Sequence, residues 1–493
     1  MYKRFSLVRL FEIMIPLSTW LLITMPIWLS PFHPAVVAYF IILFDVYFFY
    51  KTLRTVIFAT ISYRNILAAK KIPWLKRAEE FPGFKELHHV FIVPNYKEDA
   101  TKLRSTLRAI SKQNFPTKRI MVVIGMEEGE GDSAQIRAEE LRKEYKSVFG
   151  TFHVTFHTLL EGEVGGKASN ETYAAQWTSE ELKRQKISPL SAIVTSCDAD
   201  SILDPEYCAY VATKYLEDAE GRYKFYWAPV LLYNNYWSLH FFIRFQTTLS
   251  SIVRLAFLSE KYNLIQISTY SMSMWLLESI HYWDTDIIPE DWHVFLQAFF
   301  THGGKVQTKP IYLVTTRDGV RGKSFLDSFK NRYEQEKRWA WGVSDIPYAL
   351  NRSFHSSNVG FFDKVFRVTA LIETHLLWPA SFFLLTIAAN IPALINPNFK
   401  RTVLGYLLPQ IAGTILTLTS AFVLVIAYLD FQAKHRLLKQ EELKKAPLLV
   451  MQWILFPILS PIVSALLSSI PALESHTRLL MGKKMEYKVT KKV

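Results

Sequence analysis

Residues 192–201 read Ala-Ile-Val-Thr-Ser-Cys-Asp-Ala-Asp-Ser, an apolar run of strand length that ends in two aspartates one residue apart. In an extended loop, side chains two positions apart point the same way, so Asp198 and Asp200 can address one hard cation together. The competing reading is a pair of helix-capping aspartates ahead of Pro205. Outward from this stretch, apolar runs of similar length recur at His89–Pro94, Arg119–Met126, Phe152–Leu160, Phe225–Leu232 and Val306–Val314. Helix-like stretches around 99–112, 132–149, 168–186 and 205–219 alternate with the first four runs. Strands that are apolar throughout and separated by helices imply a mostly parallel sheet covered on both faces, here within about 84–350. Such sheets bind ligands at the carboxyl ends of their strands.

The residues just past those ends are rich in chemistry. The first run is followed by Pro94-Asn95-Tyr96-Lys97-Glu98 and the second by Met126-Glu127-Glu128-Gly129-Glu130. Gly165-Gly166-Lys167 precedes a helix, a setting that suits a phosphate contact with backbone donors nearby. Its spacing is not that of a P-loop, which argues against an ATPase; a solvated lysine is the plainer alternative. Pro289-Glu290-Asp291-Trp292 sets a carboxylate pair among aromatics, where one member can acquire a tuned pKa and act as a general base on an alcohol. The same pair would also serve as a helix N-cap. In Gln335-Glu336-Lys337-Arg338-Trp339, a helix puts Gln335, Arg338 and Trp339 on one face. An amide, a guanidinium and an indole suit a pyrophosphate and a sugar ring; the alternative is an amphipathic helix on a membrane with its arginine snorkelling.

The flanks are of another kind. Half of the 493 residues are hydrophobic, with 13 Trp, 24 Tyr and 35 Phe, which excludes general disorder. Two cysteines, Cys197 and Cys208, exclude a disulfide framework. From Ile13 to Phe44 no residue carries a formal charge, and Ser30-Pro31-Phe32-His33-Pro34 divides the run into two segments, about Phe11–Ser30 and Pro34–Thr55. Each approaches the ~20 residues of a membrane helix. Lys3, Arg4 and Arg9 would suit a signal peptide, but a second apolar run follows at once and no small-x-small cleavage site stands before it, so an uncleaved anchor is expected. Thr374–Phe399, Thr402–Leu429 and Ala446–Leu473 are also uncharged, and the last carries four prolines, as one kinked span or a pair of half-helices, one re-entrant. The expected division is two helices in 1–60, a sheet domain in 84–350, three or four segments in 366–473 and a basic tail in 474–493. Arg64, Lys70, Lys71, Lys76 and Arg77 follow the second span, and Lys434, Arg436, Lys439, Lys444 and Lys445 follow the fourth. By the positive-inside rule these, the sheet domain and both termini are cytoplasmic. The net charge of +13 is then explained by membrane flanks, with no nucleic-acid partner.

In this order the motifs resemble those of the membrane-embedded family 2 glycosyltransferases, which include cellulose, chitin and hyaluronan synthases. The resemblance runs through Pro94–Glu98, Glu127/Glu128, Asp198 and Asp200, Glu290 and Asp291, and Gln335, Arg338 and Trp339. It implies an α/β GT-A-like, Rossmann-like domain inserted between transmembrane helices, and an inverting transfer from a nucleotide-diphosphate sugar, UDP in preference to GDP. It further implies that Tyr96, Glu98 and Glu127 or Glu128 hold the nucleoside. Lys167 would lie near the diphosphate, and Asp198 and Asp200 would hold the nucleotide with Mg2+ or Mn2+. Asp291, beside Glu290, would take the acceptor proton, and Gln335, Arg338 and Trp339 would clamp pyrophosphate and acceptor sugar. The family usually has aspartate after the second strand, where this chain has glutamates. A processive polysaccharide synthase is the first expectation. A single-transfer glycolipid synthase, with a lipid acceptor, is the alternative, and a transporter or channel with a regulatory nucleotide-binding domain is the alternative of another class. The apolar runs contain little ionisable lining, which argues against the last.

Overall fold

The computed structural model describes residues 7–260, 262, 264–437 and 446–485. Lys3, Arg4, Lys439, Lys444, Lys445 and the end of the basic tail from residue 486 lie outside the described residues. The strands are β1 His88–Asn95, β2 Ile120–Glu127, β3 Thr151–His157, β4 Ala192–Ser196, β5 Lys224–Trp227, β6 Val230–Leu231, β7 Tyr270–Ser273, β8 Gln307–Pro310 and β9 Thr315–Thr316. Seven of them form one sheet in the order β3-β2-β1-β4-β7-β5-β8. β1 to β4 pair in parallel, and β7 alone runs antiparallel, to both β4 and β5. Helices Ala100–Ser111, Asp132–Tyr145, Lys167–Arg184 and Tyr207–Glu217 follow the first four strands in turn, as the alternation predicts. Each return helix covers strands that are buried on both faces, such as Val90–Val93 and Val122–Ile124, which is why these strands read as unbroken apolar runs. The first return helix starts where Asp99 accepts the N–H of Thr101 at 2.6 Å, and it buries Leu103, Leu107 and Ile110. The domain is an α/β unit with a mostly parallel sheet, set between apolar helices.

Two strands are shorter than expected, and proline is the reason. The run 225–232 breaks at Pro229, which has no N–H to give a ladder, and β6 then pairs with β9 in a separate two-stranded sheet. The run 306–314 stops at Pro310 in the same way. By its position in the sequence alone, Ser268-Thr269-Tyr270-Ser271 would be an acceptor-side loop, but β7 begins within it at Tyr270. It is instead a central strand whose hydroxyls are buried and satisfied. Ser271 Oγ lies 2.8 Å from both Thr195 Oγ1 and Tyr207 Oη, and Ser273 Oγ donates to the Arg222 carbonyl at 2.7 Å.

Among the described residues, five helices are long and apolar enough to cross a membrane: Leu7–Leu29, Pro34–Ala69, Phe361–Thr386, Val403–Leu437 and Ile458–Leu480. The second continues well past the expected end near Thr55, because its charges have partners: Lys51 pairs with Glu373 at 2.6 Å and Arg54 with Glu260 at 2.7 Å. The third begins at Phe361 and ends at Thr386, earlier at both ends than the uncharged run 374–399. The last runs beyond Leu473 because Glu474 is held by Lys337 at 3.1 Å and by Arg478 at 2.9 Å. At one end of the bundle, Asn396 donates to the carbonyls of Ser30 and Pro31. At the other, Lys70 donates to the Leu437 carbonyl at 2.7 Å and Arg9 to that of Leu480 at 2.6 Å. Gln452 reaches Tyr236 of the sheet domain at 3.2 Å. The 446–480 stretch thus starts and finishes on the side of the sheet domain. It is broken at Leu455 and contains a π-helical turn at Ala465–Ser469.

Candidate active site

A cavity of about 590 Å³ opens at the carboxyl edge of the sheet. Each wall comes from a chain reversal at a strand end. Tyr96 and Glu98 follow β1, Lys167 opens its helix, Asp198 and Asp200 follow β4, and Glu290 and Asp291 begin the helix Glu290–His302. Gln335, Arg338 and Trp339 enter from the helix Phe325–Ala340, on one face as their spacing predicts. The far wall is built from apolar helices through Thr374, His375, Trp378, Val463, Ser464 and Ser468. Ten of the twelve expected site residues therefore meet here. Glu127 and Glu128 do not line the cavity. Glu127 ends β2, one strand further out, where burial and the neighbouring Glu130 raise its pKa. Glu128 begins a short 3-10 turn and accepts a hydrogen bond from Thr158.

The centre is a network of charge. Lys167 Nζ lies 2.8 Å from Glu290, 3.3 Å from Asp198 and 3.9 Å from Glu171, and it donates to the Ser268 carbonyl at 3.0 Å. Burial disfavours its charge, but Glu171, Glu290 and Asp198 outweigh that and hold its pKa well above the ordinary lysine value. Ser268, at φ 70°, ties the parts together. Its N–H donates to Asp291 Oδ2 at 2.9 Å and its hydroxyl donates to Asp198.

The two members of the carboxylate pair are thereby separated in role. Glu290 is held by a cation, whereas Asp291 accepts two backbone N–H bonds, from Ser268 and, at 2.9 Å, from Trp292. Burial, reinforced by Glu290, pushes the Asp291 carboxyl up to about 7. A carboxylate that accepts two backbone bonds still has lone pairs to take a proton, and a pKa near the working pH is what general-base catalysis requires.

The wall formed by the helix Phe325–Ala340 is aromatic and cationic. The Arg332 and Arg254 guanidinium groups lie 4.7 and 5.3 Å from the Trp339 ring centroid, in cation–π contact. Gln335 accepts from Arg332 Nη1 at 2.5 Å, which fixes its amide. Arg254 is buried, and that burial, with Arg317 and Arg332 nearby, lowers its pKa to about 9. The helix that carries Asp291 is itself anchored. His293 bridges Asp345 and Asp284, each at 2.9 Å. Burial opposes its charge, but the two carboxylates lift its pKa to about 9. That stabilisation is complete below the ordinary value of 6.5 and is lost as pH rises through about 9. Substituting glutamine for His293 is expected to cost about 3–5 kcal/mol near neutrality, because Asp345 is left buried and unpaired. Thermal melts at pH 6.5 and 9.5 check this: the gap between wild type and variant should narrow at the higher pH.

The carboxylates of the cavity wall, Glu98, Asp198, Asp200, Glu290, Asp291 and Glu336, outnumber its cations, Lys167, Arg254, Arg317 and Arg338. A diphosphate entering such a wall adds more negative charge, and a divalent ion would offset it. Among the described residues no group of three or more His, Cys, Asp or Glu is placed to hold a metal alone. Asp198 and Asp200 supply two hard oxygen ligands, which fits a Mg2+ or Mn2+ ion that arrives with phosphate oxygens and keeps waters. Sequence reasoning gave no site role to Glu171, Arg254 or Arg317, and reached Ser268 only as part of a loop placed by position. Arg317 was open to the rule applied elsewhere, since it stands just past β9.

Residues 193–431, just under half of the chain, match the family model described as glycosyl transferase family group 2. The matched segment includes Asp198, Asp291 and Trp339, which line this cavity. No curated protein matches the chain. Among solved structures it is similar to the mannosyltransferase PcManGT from Pyrobaculum calidifontis, in complex with GDP-Man and Mn2+, at 14% identity, over 87% of this chain and 100% of that one, with a TM-score of 0.44. It is also similar to S. aureus TarS 1-349 in complex with UDP-GlcNAc, at 15% identity, over 68% of this chain and 90% of that one, with a TM-score of 0.32. Both likenesses are remote and neither bears on the chemistry.

Proposed function

We propose that the protein is a membrane-embedded, inverting glycosyltransferase that moves a sugar from a nucleotide-diphosphate sugar to an acceptor hydroxyl. The observation that carries this reading is one cavity in which Asp291 faces Lys167, Asp198, Asp200, Arg338 and Trp339. In a single in-line displacement, Asp291 takes the proton of the acceptor hydroxyl as that oxygen attacks the anomeric carbon. The carbon passes through an oxocarbenium-like state, and its bond to the diphosphate oxygen breaks. Lys167 and Arg338 lie on the wall that would face the leaving diphosphate, and Trp339 offers a flat apolar surface to a sugar ring. A divalent ion held by Asp198 and Asp200 would supply Lewis acidity to the departing phosphate oxygens.

Activity is expected to rise with pH as Asp291 loses its proton, with a midpoint near 7. The rate profile of purified protein at saturating donor checks it; a flat profile between pH 6 and 8 would count against Asp291 as base. Chelation of divalent ions with EDTA is expected to reduce transfer to background, with recovery on adding Mg2+ or Mn2+.

Within this class, a polysaccharide synthase is the favoured reading. The cavity wall continues onto the apolar helices as hydroxyl, imidazole and indole groups, at Thr374, Ser464, Ser468, His375 and Trp378, which suit a chain of sugars. The apolar patch Leu249, Val253, Phe257 and Val463 is the feature that favours a lipid acceptor instead. Product size separates the two: a ladder of oligomers against one glycolipid. For topology, four crossings with a returning 446–480 segment put both termini and the sheet domain on one side, the cytoplasmic side by the basic residues Arg64, Lys70, Lys71, Lys76 and Arg77. Single cysteines at Phe32 and Met481 test this arrangement. Only the first should react with an impermeant reagent added from outside.

A further inference from the structure

Arg317 belongs to none of the motifs, yet it sits where a cation would. Its backbone is pinned just past the small β6–β9 sheet. The Arg317 N–H donates to the Leu231 carbonyl at 2.9 Å, and Asn234 donates to the Arg317 carbonyl at 3.3 Å. Only the side chain is therefore free to rearrange. Its guanidinium lies 2.5 Å from Asp198 Oδ2 and 3.8 Å from Asp200 Oδ1, and it donates to Ser268 Oγ at 2.6 Å. It thus addresses both of the carboxylates whose spacing fits a divalent ion. Its Nε is buried without a hydrogen bond, so the five-donor fork is only partly used in this position.

We infer that Arg317 is a displaceable counter-ion of the cation site, neutralising Asp198 and Asp200 before the donor arrives and turning onto the donor diphosphate when a metal ion takes its place. The donor's identity rests on the glycosyl-transfer reading above. A metal ion and a guanidinium repel each other across one pair of carboxylates, so a metal arriving alone must evict Arg317. The evicted group would stay beside the buried Arg254, which repels it, with Glu98 and Asp318 as its remaining carboxylate neighbours. A nucleoside diphosphate removes that obstacle, since phosphate oxygens accept the fork bidentately. The metal and the nucleotide therefore bind with positive coupling, and the coupling resides in Arg317. The arrangement keeps bare cations off the carboxylate pair and admits a metal together with its nucleotide.

The test is a Mn2+ titration of the full-length, detergent-solubilised protein, read by loss of the free-ion EPR signal, with and without UDP or GDP. Wild type is expected to bind Mn2+ about ten-fold more tightly when the nucleotide is present. Arg317→Gln, which removes the charge, is expected to bind Mn2+ alone about ten-fold more tightly than wild type, and its gain from nucleotide should fall below about three-fold. Arg317→Lys, whose ammonium cannot bridge both carboxylates, should tighten Mn2+ alone by about three-fold; it decides the matter if the glutamine variant does not fold. The inference is overturned, with the glycosyl-transfer reading intact, if nucleotide and Mn2+ still bind together but neither variant holds Mn2+ alone more tightly than wild type. If no protein in the set binds UDP or GDP with Mn2+, the donor reading falls and this inference falls with it.

Discussion

Asp291→Asn is expected to reduce turnover by about 10²–10⁴-fold, the usual worth of a general base, while nucleotide binding stays within about two-fold of wild type. Asparagine keeps the shape, but its single amide oxygen can accept only one of the two N–H bonds that Asp291 takes at 2.9 Å, from Ser268 on Oδ2 and from Trp292 on Oδ1, so a thermal melt of the variant accompanies the assay to show that the helix start survives. What it loses is a group whose affinity for a proton changes over the working pH range. The rise of activity through about pH 7 should vanish along with the rate. Glu290 would not take over, because it is held by Lys167 at 2.8 Å. Single-turnover transfer and equilibrium binding of the nucleotide, measured on the same preparation, separate the two effects. Near-normal turnover in this variant would exclude Asp291 as the base.

The second large effect is on stability. Lys167→Met removes a cation that touches Glu171, Asp198 and Glu290 together. Breaking a buried ion pair by deleting one partner typically costs about 3–5 kcal/mol. Here Glu171 and Glu290 would lose the cation that holds them, and Asp198 would keep its contact with Arg317, so these carboxylates would repel one another or take up protons. The variant is expected to melt lower than wild type, with the deficit largest at alkaline pH and partly relieved in acid, where those carboxylates protonate. Burial already raises the Glu171 carboxyl to about 8 with the lysine present. Differential scanning fluorimetry from pH 5.5 to 8.5 reads this out. Donor binding should be lost as well, because the same ammonium faces the cavity.

How far the sequence exposed this architecture depends on where the physics is local. β1, β2 and β4 were legible because burial on both faces writes an unbroken apolar run, and their ends were legible because polar groups appear abruptly there. The helix face of Gln335, Arg338 and Trp339 follows from helical geometry alone. β7 was hidden because its partners are hydroxyls: Ser271 is satisfied by Thr195 and Tyr207, which lie far away in sequence. The apolar helices were misjudged in length because charge was taken as an endpoint. Lys51, Arg54 and Glu474 all have partners from distant segments, and no single-segment pattern reveals such pairs. Arg317 and Ser268 acquire their roles only when β6, β7 and β9 are brought beside β4. Glu127 and Glu128 were placed by resemblance, and that their strand lies outside β1, whose end lines the cavity, is a matter of sheet order.

The most direct test is a panel of UDP- and GDP-sugars with Mn2+ or Mg2+, offered to the purified full-length protein and scored for release of nucleoside diphosphate. Release from at least one donor, abolished by EDTA and reduced at least about 100-fold in Asp291→Asn, is the predicted result. Folded protein that releases nothing from any donor, or release undiminished in Asp291→Asn, would contradict the account.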